Sequence, residues 1–223
     1  MYTEFLKSVK VNEEGRYEDP LPQLEAHSRV RDNKTISERR LSSLVKKLKV
    51  DGLYEDYDAV FEEWRDEGII EYVPNDAAET IGHYLPHRHV VKVNSTTAIM
   101  PVFDASAKLP PHPALNKCLE KDPNFIETIT DVLLRYREGS IGVIADIKKA
   151  FLQVSVDPKD RDFLRFFKFN EFGTRVIFRH CRVVFGICSN PFILAAVIRL
   201  HLEKILKSIK EDFSRRFFGA VYY

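Results

Sequence analysis

The chain has 223 residues, of which 44% are hydrophobic and 30% are charged, and its formal net charge is +1. This composition is typical of a soluble globular protein, and it excludes an intrinsically disordered chain, which would be poorer in apolar residues. Three cysteines without paired spacing argue against a disulfide scaffold, and the N-terminus lacks the apolar core of a signal peptide. We therefore expect an intracellular protein without a membrane-spanning segment.

The near-zero total charge conceals blocks of opposite sign. Residues 29–49 carry eight basic and two acidic side chains, whereas residues 51–79 carry eleven acidic and one basic. Such blocks are most often the solvated faces of helices. They neither require nor exclude a polyanionic partner.

The first third of the chain predicts a lead-in segment followed by two helices and a strand. Residues 1–35 are polar and rich in turn-forming residues, which predicts an extended segment with one short strand. From the predicted N-cap Ser37, apolar residues at helical spacing indicate an amphipathic helix (Leu41, Leu44, Val45 and Leu48). A second helix carries an aromatic stripe and ends at Gly68 (Tyr57, Val60, Phe61 and Trp64). Ile69 to Val73 is predicted to be a strand.

The remainder predicts two hairpins and two further helices. β-branched residues predict one hairpin within residues 84–104 around a polar turn at 94–97. Alternating patterns at 163–169 and 174–185 predict a second hairpin around the turn at 170–173. A helix is predicted before Gly139, and a long final helix from Pro191, with a strand beginning at Phe217. Helices interleaved with antiparallel hairpins indicate an α+β fold.

Three histidines lie close together near the first hairpin, at His83, His87 and His89. A zinc site needs a defined set of ligands, and no cysteine lies nearby. We therefore predict loop histidines rather than a metal site.

The most informative stretch is residues 141–156. An apolar β-rich run ends in a single carboxylate, Asp146, and the aromatic Phe151 follows five positions later. A buried strand that ends in a lone carboxylate is costly unless a cation meets it. One interpretation is that Asp146 caps a turn and is neutralised by Lys148 or Lys149. The other is functional, because D-I-K-K-A-F-L-Q resembles motif A of reverse transcriptases, in which the Asp binds two Mg²⁺ ions and the ring blocks a ribose 2′-OH.

A second motif lies at residues 184–192, V-F-G-I-C-S-N-P-F. An ordinary connection from a strand to a helix would fit this pattern equally well. The functional alternative is a surface on which a base pair rests, where Gly186 permits close approach of the backbone. In this interpretation the run resembles motif B of reverse transcriptases.

From about Gly15 onward the chain resembles the reverse transcriptase of BEL/Pao-type LTR retrotransposons. Besides motifs A and B, the similar runs are G-I-I-E-Y-V at 68–73, Y-L-P-H at 84–87, S-T-T at 95–97, V-F-D-A-S-A-K at 102–108 and L-L-R-Y-R at 133–137. The resemblance implies a right-hand polymerase fold: a lead-in at 1–35, a fingers-like region at 36–140 and a partial palm at 141–223. The activity it implies is RNA-directed DNA synthesis.

The resemblance also implies roles for individual residues and partners. Asp146 would be the catalytic residue and, with the carbonyl of Ile147, a ligand of two Mg²⁺ ions. Four residues would contact the incoming dNTP (Lys92, Phe151, Phe185 and Gly186), and two would border the template and primer (Asn190 and Pro191). The implied partners are a primed RNA or DNA template, dNTP, and the RNase H, protease and integrase parts of the polyprotein. The implied location is a cytoplasmic virus-like particle or the nucleus.

Two departures from the family pattern affect the expected activity. The motif C aspartates are expected where the chain ends, at Tyr222 and Tyr223, so the fold is predicted to be truncated before motif C and the chain inactive alone. Three nearby carboxylates are predicted to lie on a solvated loop and not to replace them (Asp157, Asp160 and Asp162). The basic residues that relatives carry in the first hairpin are Ala98 and Met100 here, which should weaken dNTP binding.

Three alternatives therefore stay open. The chain is a piece of a longer polymerase, or it is an inactive retroelement remnant that at most binds nucleic acid without sequence preference. In the third alternative, an open palm sheet with an unpaired last strand prevents stable folding.

Overall fold

The computed structural model describes residues 2–22, 30–73, 82–91, 99–120, 129–138, 140–141 and 146–218. The helices are α1 (Tyr2–Ser8), α2 (Lys34–Val50), α3 (Tyr54–Asp66), α4 (Leu115–Cys118), α5 (Ile129–Tyr136) and α6 (Asn190–Phe218). The strands are β1 (Lys10–Val11), β2 (Tyr17–Asp19), β3 (Ile70–Tyr72), β4 (His87–Val91), β5 (Ile99–Phe103), β6 (Ser155–Val156), β7 (Arg165–Phe169) and β8 (Arg175–His180). This mixture of helices and small sheets confirms the predicted α+β class.

Within the described residues the strands form three small sheets, ordered β1-β2-β6, β3-β8-β7 and β4-β5. The β4-β5 and β7-β8 hairpins are antiparallel, as predicted, with His87 opposite Phe103 and Phe166 opposite Phe178. The turn predicted at 94–97 lies outside the described residues. β2 pairs in parallel with β6, and this pairing joins the N-terminal segment to the region that follows Phe151.

The core forms where the aromatic stripe of α3 meets the β3-β8-β7 sheet and β5. Phe61 packs against Phe166, with ring centroids 5.5 Å apart, and Trp64 stacks on Phe103 at 6.2 Å. Helix α3 ends before Gly68, whose φ of 64° is the left-handed conformation that glycine adopts readily. The aromatic stripe that the sequence predicts on the second helix is therefore confirmed, and it faces the core.

The predicted lead-in was wrong in one respect, because residues 2–8 form helix α1. This helix has seven residues, too few for a helical period to be recognised and too few to be stable alone. Tertiary packing stabilises it: Phe5 is buried and makes an edge contact with Phe192 of α6.

The predicted N-cap of α2 was also wrong. The helix begins at Lys34 after Asn33, and Ser37 lies buried within it. Ser37 Oγ donates to the carbonyl of Tyr84, and the side chain of Asn33 exchanges two hydrogen bonds with the Tyr84 backbone. The capping rule failed here because the side chains of Asn33 and Ser37 form tertiary hydrogen bonds and do not cap the helix.

The strand predicted from Phe217 was wrong for its first two residues, since α6 continues through Phe218, and residues 219–223 lie outside the described part. The first turns of α6 bury Phe192 and Ile193, whereas Leu202, Ile205 and Leu206 are exposed. An established helix gains one hydrogen bond for each residue added, so it extends through aromatic residues that alone favour a strand.

Within the residues that the structure describes, no helix is both long and apolar enough to cross a membrane.

Candidate functional site

The glycine of the second motif lies directly against the end of the first hairpin. Gly186 has a φ of +100°, which side chains larger than glycine's rarely adopt. A Cβ at this position would overlap the carbonyl oxygen of Phe103. Gly186 is therefore required for packing against the backbone of the V-F-D-A-S-A-K run, and the predicted approach of a base pair to this turn stays a prediction.

Two aromatic residues predicted to contact the nucleotide are in contact with each other. The rings of Phe151 and Phe185 lie with their centroids 4.5 Å apart and an interplanar angle of 63°. Phe185 is 45% exposed, so the pair presents an aromatic surface to solvent. The structure thus brings together one residue from each of the two motifs.

A cleft of about 720 Å³ opens between α2, the β4-β5 hairpin and Gly186. Its charged lining residues are four cations and one carboxylate (Arg39, Arg40, Lys47, Arg88 and Asp104). Its remaining walls are largely apolar (Leu44, Pro86, Val102 and Phe103). The cleft therefore combines an excess of positive charge with apolar surface.

Much of this positive charge is available to a ligand. Arg40 Nη1 lies 2.6 Å from Asp104 Oδ2, so these two charges compensate each other. In the part of the chain that the structure describes, the other cations of the cleft form no ion pair (Arg39, Lys47 and Arg88). Unpaired cations on an exposed surface attract polyanions, and that attraction weakens with salt.

The turn after Asp146 is held by ion pairs that do not involve Asp146. Lys149 has a φ of 52°, unusual for a residue with a side chain. Its Nζ lies 2.7 Å from Glu63 Oε1 on α3 and 2.8 Å from Oε2 of Glu67, the residue that follows α3. Lys149 therefore pairs with these two glutamates, and the interpretation in which it neutralises Asp146 was wrong.

The predicted metal ligands lie at the edge of the described region. Asp146 and Ile147 are exposed, residues 142–145 lie outside the described part, and so does Lys92. Among the described residues no group of three or more His, Cys, Asp or Glu side chains could hold a metal ion. Because Mg²⁺ needs several oxygen ligands, the described residues do not by themselves form the site that the resemblance implies.

The two residues predicted to border the template differ in exposure. Asn190 is 1% exposed, and its side-chain amide donates to the carbonyl of Val184, so it connects the start of α6 to the segment before the Gly186 turn. Pro191, in the first turn of α6, is exposed. Of the pair, only Pro191 presents its side chain to solvent.

The predicted solvated loop was wrong for two of its carboxylates. Asp160 is buried and accepts a hydrogen bond from the backbone N–H of Leu21. Asp162 Oδ1 lies 3.0 Å from Arg165 Nη2 and 2.9 Å from Arg179 Nη1. Both are committed to structural contacts because β8 and the N-terminal segment pack over this loop.

The prediction of loop histidines was wrong for two of the three, because His87 and His89 lie on β4, whereas His83 lies outside the helices and strands. His87 is buried; its Nδ1 is 2.7 Å from the hydroxyl of Tyr57, and its Nε2 is 2.9 Å from the carbonyl of Phe167. His87 and His89 are two residues apart on the strand and therefore share a face: their ring centroids lie 5.9 and 6.3 Å from that of Tyr57 on α3. His87 thus faces the core beneath the cleft.

Sequence reasoning missed the cations that line the cleft. The basic block at 29–49 was a signal, but only the orientation of α2 shows that Arg39, Arg40 and Lys47 face the hairpin. Arg88 lies between two histidines, and the sequence pattern there did not indicate that it lines a cleft. Asp104 was visible within V-F-D-A-S-A-K, but without its partner Arg40.

Comparisons with known proteins assign no family to the chain. No protein-family model matches it, and no curated protein matches it significantly. Any function must therefore be argued from the motifs and from the geometry described above.

Proposed function

We propose that the chain is the fingers and palm region of a BEL/Pao-like RNA-directed DNA polymerase and that its cationic cleft binds the template strand of a primer–template. The order of the motifs supports the polymerase assignment. The observation that carries the cleft assignment is that Gly186 of the second motif lines a cleft with three cations that form no ion pair within the described residues.

The chemistry of the cleft suits a nucleic-acid strand better than a small apolar ligand. Cations contact phosphates without reading the sequence, and apolar side chains can pack against sugars and bases. Arg39 and Lys47 are eight residues apart on α2. At 1.5 Å per residue this is roughly 12 Å along the helix, long enough to reach more than one phosphate.

The proposal also covers the reaction and the partners that the resemblance implies. The polymerase would use Mg²⁺ and dNTP, with Asp146 at the metal and Phe151, Phe185 and Gly186 at the nucleotide. A second candidate is binding of nucleic acid without synthesis, as in an inactive retroelement remnant, and the same cleft supports it. The 223 residues are predicted to be inactive alone, so primer extension by a chain that continues through motif C, with Asp146→Asn as the control, separates the two candidates.

The double substitution Arg39→Ala and Arg88→Ala is expected to weaken binding of an RNA–DNA primer–template, because it removes two unpaired cations from the cleft. For phosphate contacts the slope of log affinity against log salt should become shallower by roughly 1.4 to 1.8. Fluorescence anisotropy at several salt concentrations measures both quantities.

The matched control removes the same charge from exposed sites outside the cleft, with Lys159→Ala and Lys207→Ala. This variant should keep a slope close to that of the unmodified chain. Equal losses in both variants would mean that net charge rather than the cleft governs binding. Binding that does not depend on salt would contradict the proposal altogether.

A further inference from the structure

Asn116 lies on α4 and contacts the Gly186 turn through its side chain. Its Nδ2 donates to the carbonyl of Gly186 at 2.9 Å and to Ser106 Oγ at 3.1 Å. Its Oδ1 accepts from the backbone N–H of Cys188 at 2.9 Å. One side chain therefore holds the turn on both sides of Ile187.

The backbone of Asn116 makes further contacts with the same two segments. Its N–H donates to the carbonyl of Ala105, and its carbonyl accepts from Cys188 Sγ at 3.4 Å. Ala105 and Ser106 follow directly after Asp104, the carboxylate of the cleft. Asn116 thus connects the end of the first hairpin to the turn that opposes it.

The Gly186 turn needs such an external restraint. Glycine has the largest freedom of any residue in the unfolded chain, so fixing it at a positive φ costs conformational entropy. The contact with Phe103 prevents movement in one direction only, because it is a steric contact. The hydrogen bonds from Asn116 restrain the turn in the other directions.

The hydrogen-bond pattern also explains why the residue is an asparagine. Gly186 and Ser106 each receive a hydrogen bond, whereas Cys188 donates one, so the side chain must carry both a donor and an acceptor. An amide provides two N–H donors and a carbonyl acceptor. A carboxylate would face the Gly186 carbonyl without a proton to donate.

We propose that Asn116 is a positioning residue that fixes the Gly186 turn in the conformation in which it lines the nucleic-acid cleft. This inference rests on the proposed function, because it assigns Asn116 a role in binding through the turn. Asn116 itself is not among the residues that line the cleft. Its loss should therefore weaken binding without removing a phosphate contact.

The test is Asn116→Leu, which keeps the approximate size of the side chain and removes its three hydrogen bonds. We expect primer–template affinity to fall by roughly tenfold, the equivalent of losing a hydrogen bond or two, while the salt slope stays unchanged. Hydrogen exchange at the Cys188 amide should become faster. If the leucine variant does not fold, Asn116→Ser takes its place, because serine perturbs the packing less and cannot bridge the turn. It should show the same loss of affinity, the same unchanged salt slope and the same faster exchange.

The matched control is Asn12→Leu, which also removes three side-chain hydrogen bonds, to Glu14, Arg16 and Ser155. It should lower stability to a similar extent and leave affinity unchanged. If the unmodified chain binds through Arg39 and Arg88 but a folded Asn116 variant binds equally well, the inference is wrong. If the unmodified chain does not bind, or binds independently of those arginines, the proposed function itself fails.

Discussion

Replacement of Gly186 by alanine is expected to lower the free energy of unfolding by roughly 3 kcal/mol or more. Two effects combine at this position. A φ of +100° is strained for alanine, and the added Cβ would overlap the carbonyl oxygen of Phe103. The carbonyl oxygen belongs to the backbone, and the Cβ is bonded directly to it, so neither atom can rotate away. The turn and the end of β5 must therefore separate. Chemical denaturation measures the loss.

Gly173→Ala provides the matched control for this prediction. Gly173 also has a positive φ, 71°, but a Cβ there would meet no atom within 4 Å. Its substitution should therefore show the conformational strain alone, about 1 kcal/mol. Equal losses at the two positions would contradict the close contact between Gly186 and Phe103. In addition, Gly186→Ala should weaken primer–template binding, whereas Gly173→Ala should not.

The second large effect concerns pH, because two histidines are buried beneath the cleft. His180 packs between Trp64, Phe103 and Phe166. Neither of its ring nitrogens has a hydrogen-bond partner within the described structure. Burial lowers the pKa of His87 to about 4, and burial together with the nearby His87 lowers the pKa of His180 to about 3.

A folded-state pKa below the unfolded value of about 6.5 means that the unfolded chain binds protons first as the pH falls. These two histidines therefore contribute stability that is present above pH 6.5 and is lost as the pH falls from 6.5 to about 4 for His87 and to about 3 for His180. The expected loss from pH 7 to pH 5 is roughly 4 kcal/mol for the pair. The titratable group facing His87 from α3 is Tyr57, whose pKa burial raises, so it stays neutral throughout this range.

His180→Leu tests the origin of this pH dependence. It removes a titrating group whose ring nitrogens are unpartnered, so it should roughly halve the loss between pH 7 and pH 5 with little cost at pH 7. His112→Ala removes a histidine outside the buried cluster and should keep the original dependence. Urea denaturation at several pH values gives the comparison. An unchanged slope in His180→Leu would show that other groups cause the acid sensitivity.

The elements with a strong local signal were predictable from the sequence. Helices α2 and α3 repeat apolar residues at helical spacing, and both main hairpins have turn-forming residues between two runs with strand character. Helix α1 was not predictable, since its stability comes from Phe5 packing against residues nearly two hundred positions away. The predicted N-cap of α2 was wrong for the same reason, because the side chains of Asn33 and Ser37 donate hydrogen bonds to the distant carbonyl of Tyr84.

The candidate site shows the same division. The motifs predict that Gly186, Phe151 and Phe185 belong to the site, and the structure brings the two rings into contact. The electrostatic character of the cleft depends on the pairing of Arg40 with Asp104, which are 64 residues apart. Asn116 and Gly186 are separated by 70 residues and carry no joint sequence signal. Local sequence patterns do not predict contacts between residues so far apart in the chain, because the fold alone brings them together.

Photo-crosslinking of a primer–template to the cleft tests the central claim most directly. A DNA primer annealed to an RNA template with 4-thiouridine in its single-stranded overhang would be irradiated with the protein, and the crosslinked peptides identified. We predict crosslinks to the peptides that contain Arg39 to Lys47, Arg88, and Val102 to Asp104, all lost in the Arg39→Ala and Arg88→Ala variant. Crosslinks confined to the exposed face of α6, or unaffected by that variant, would contradict the assignment of the cleft.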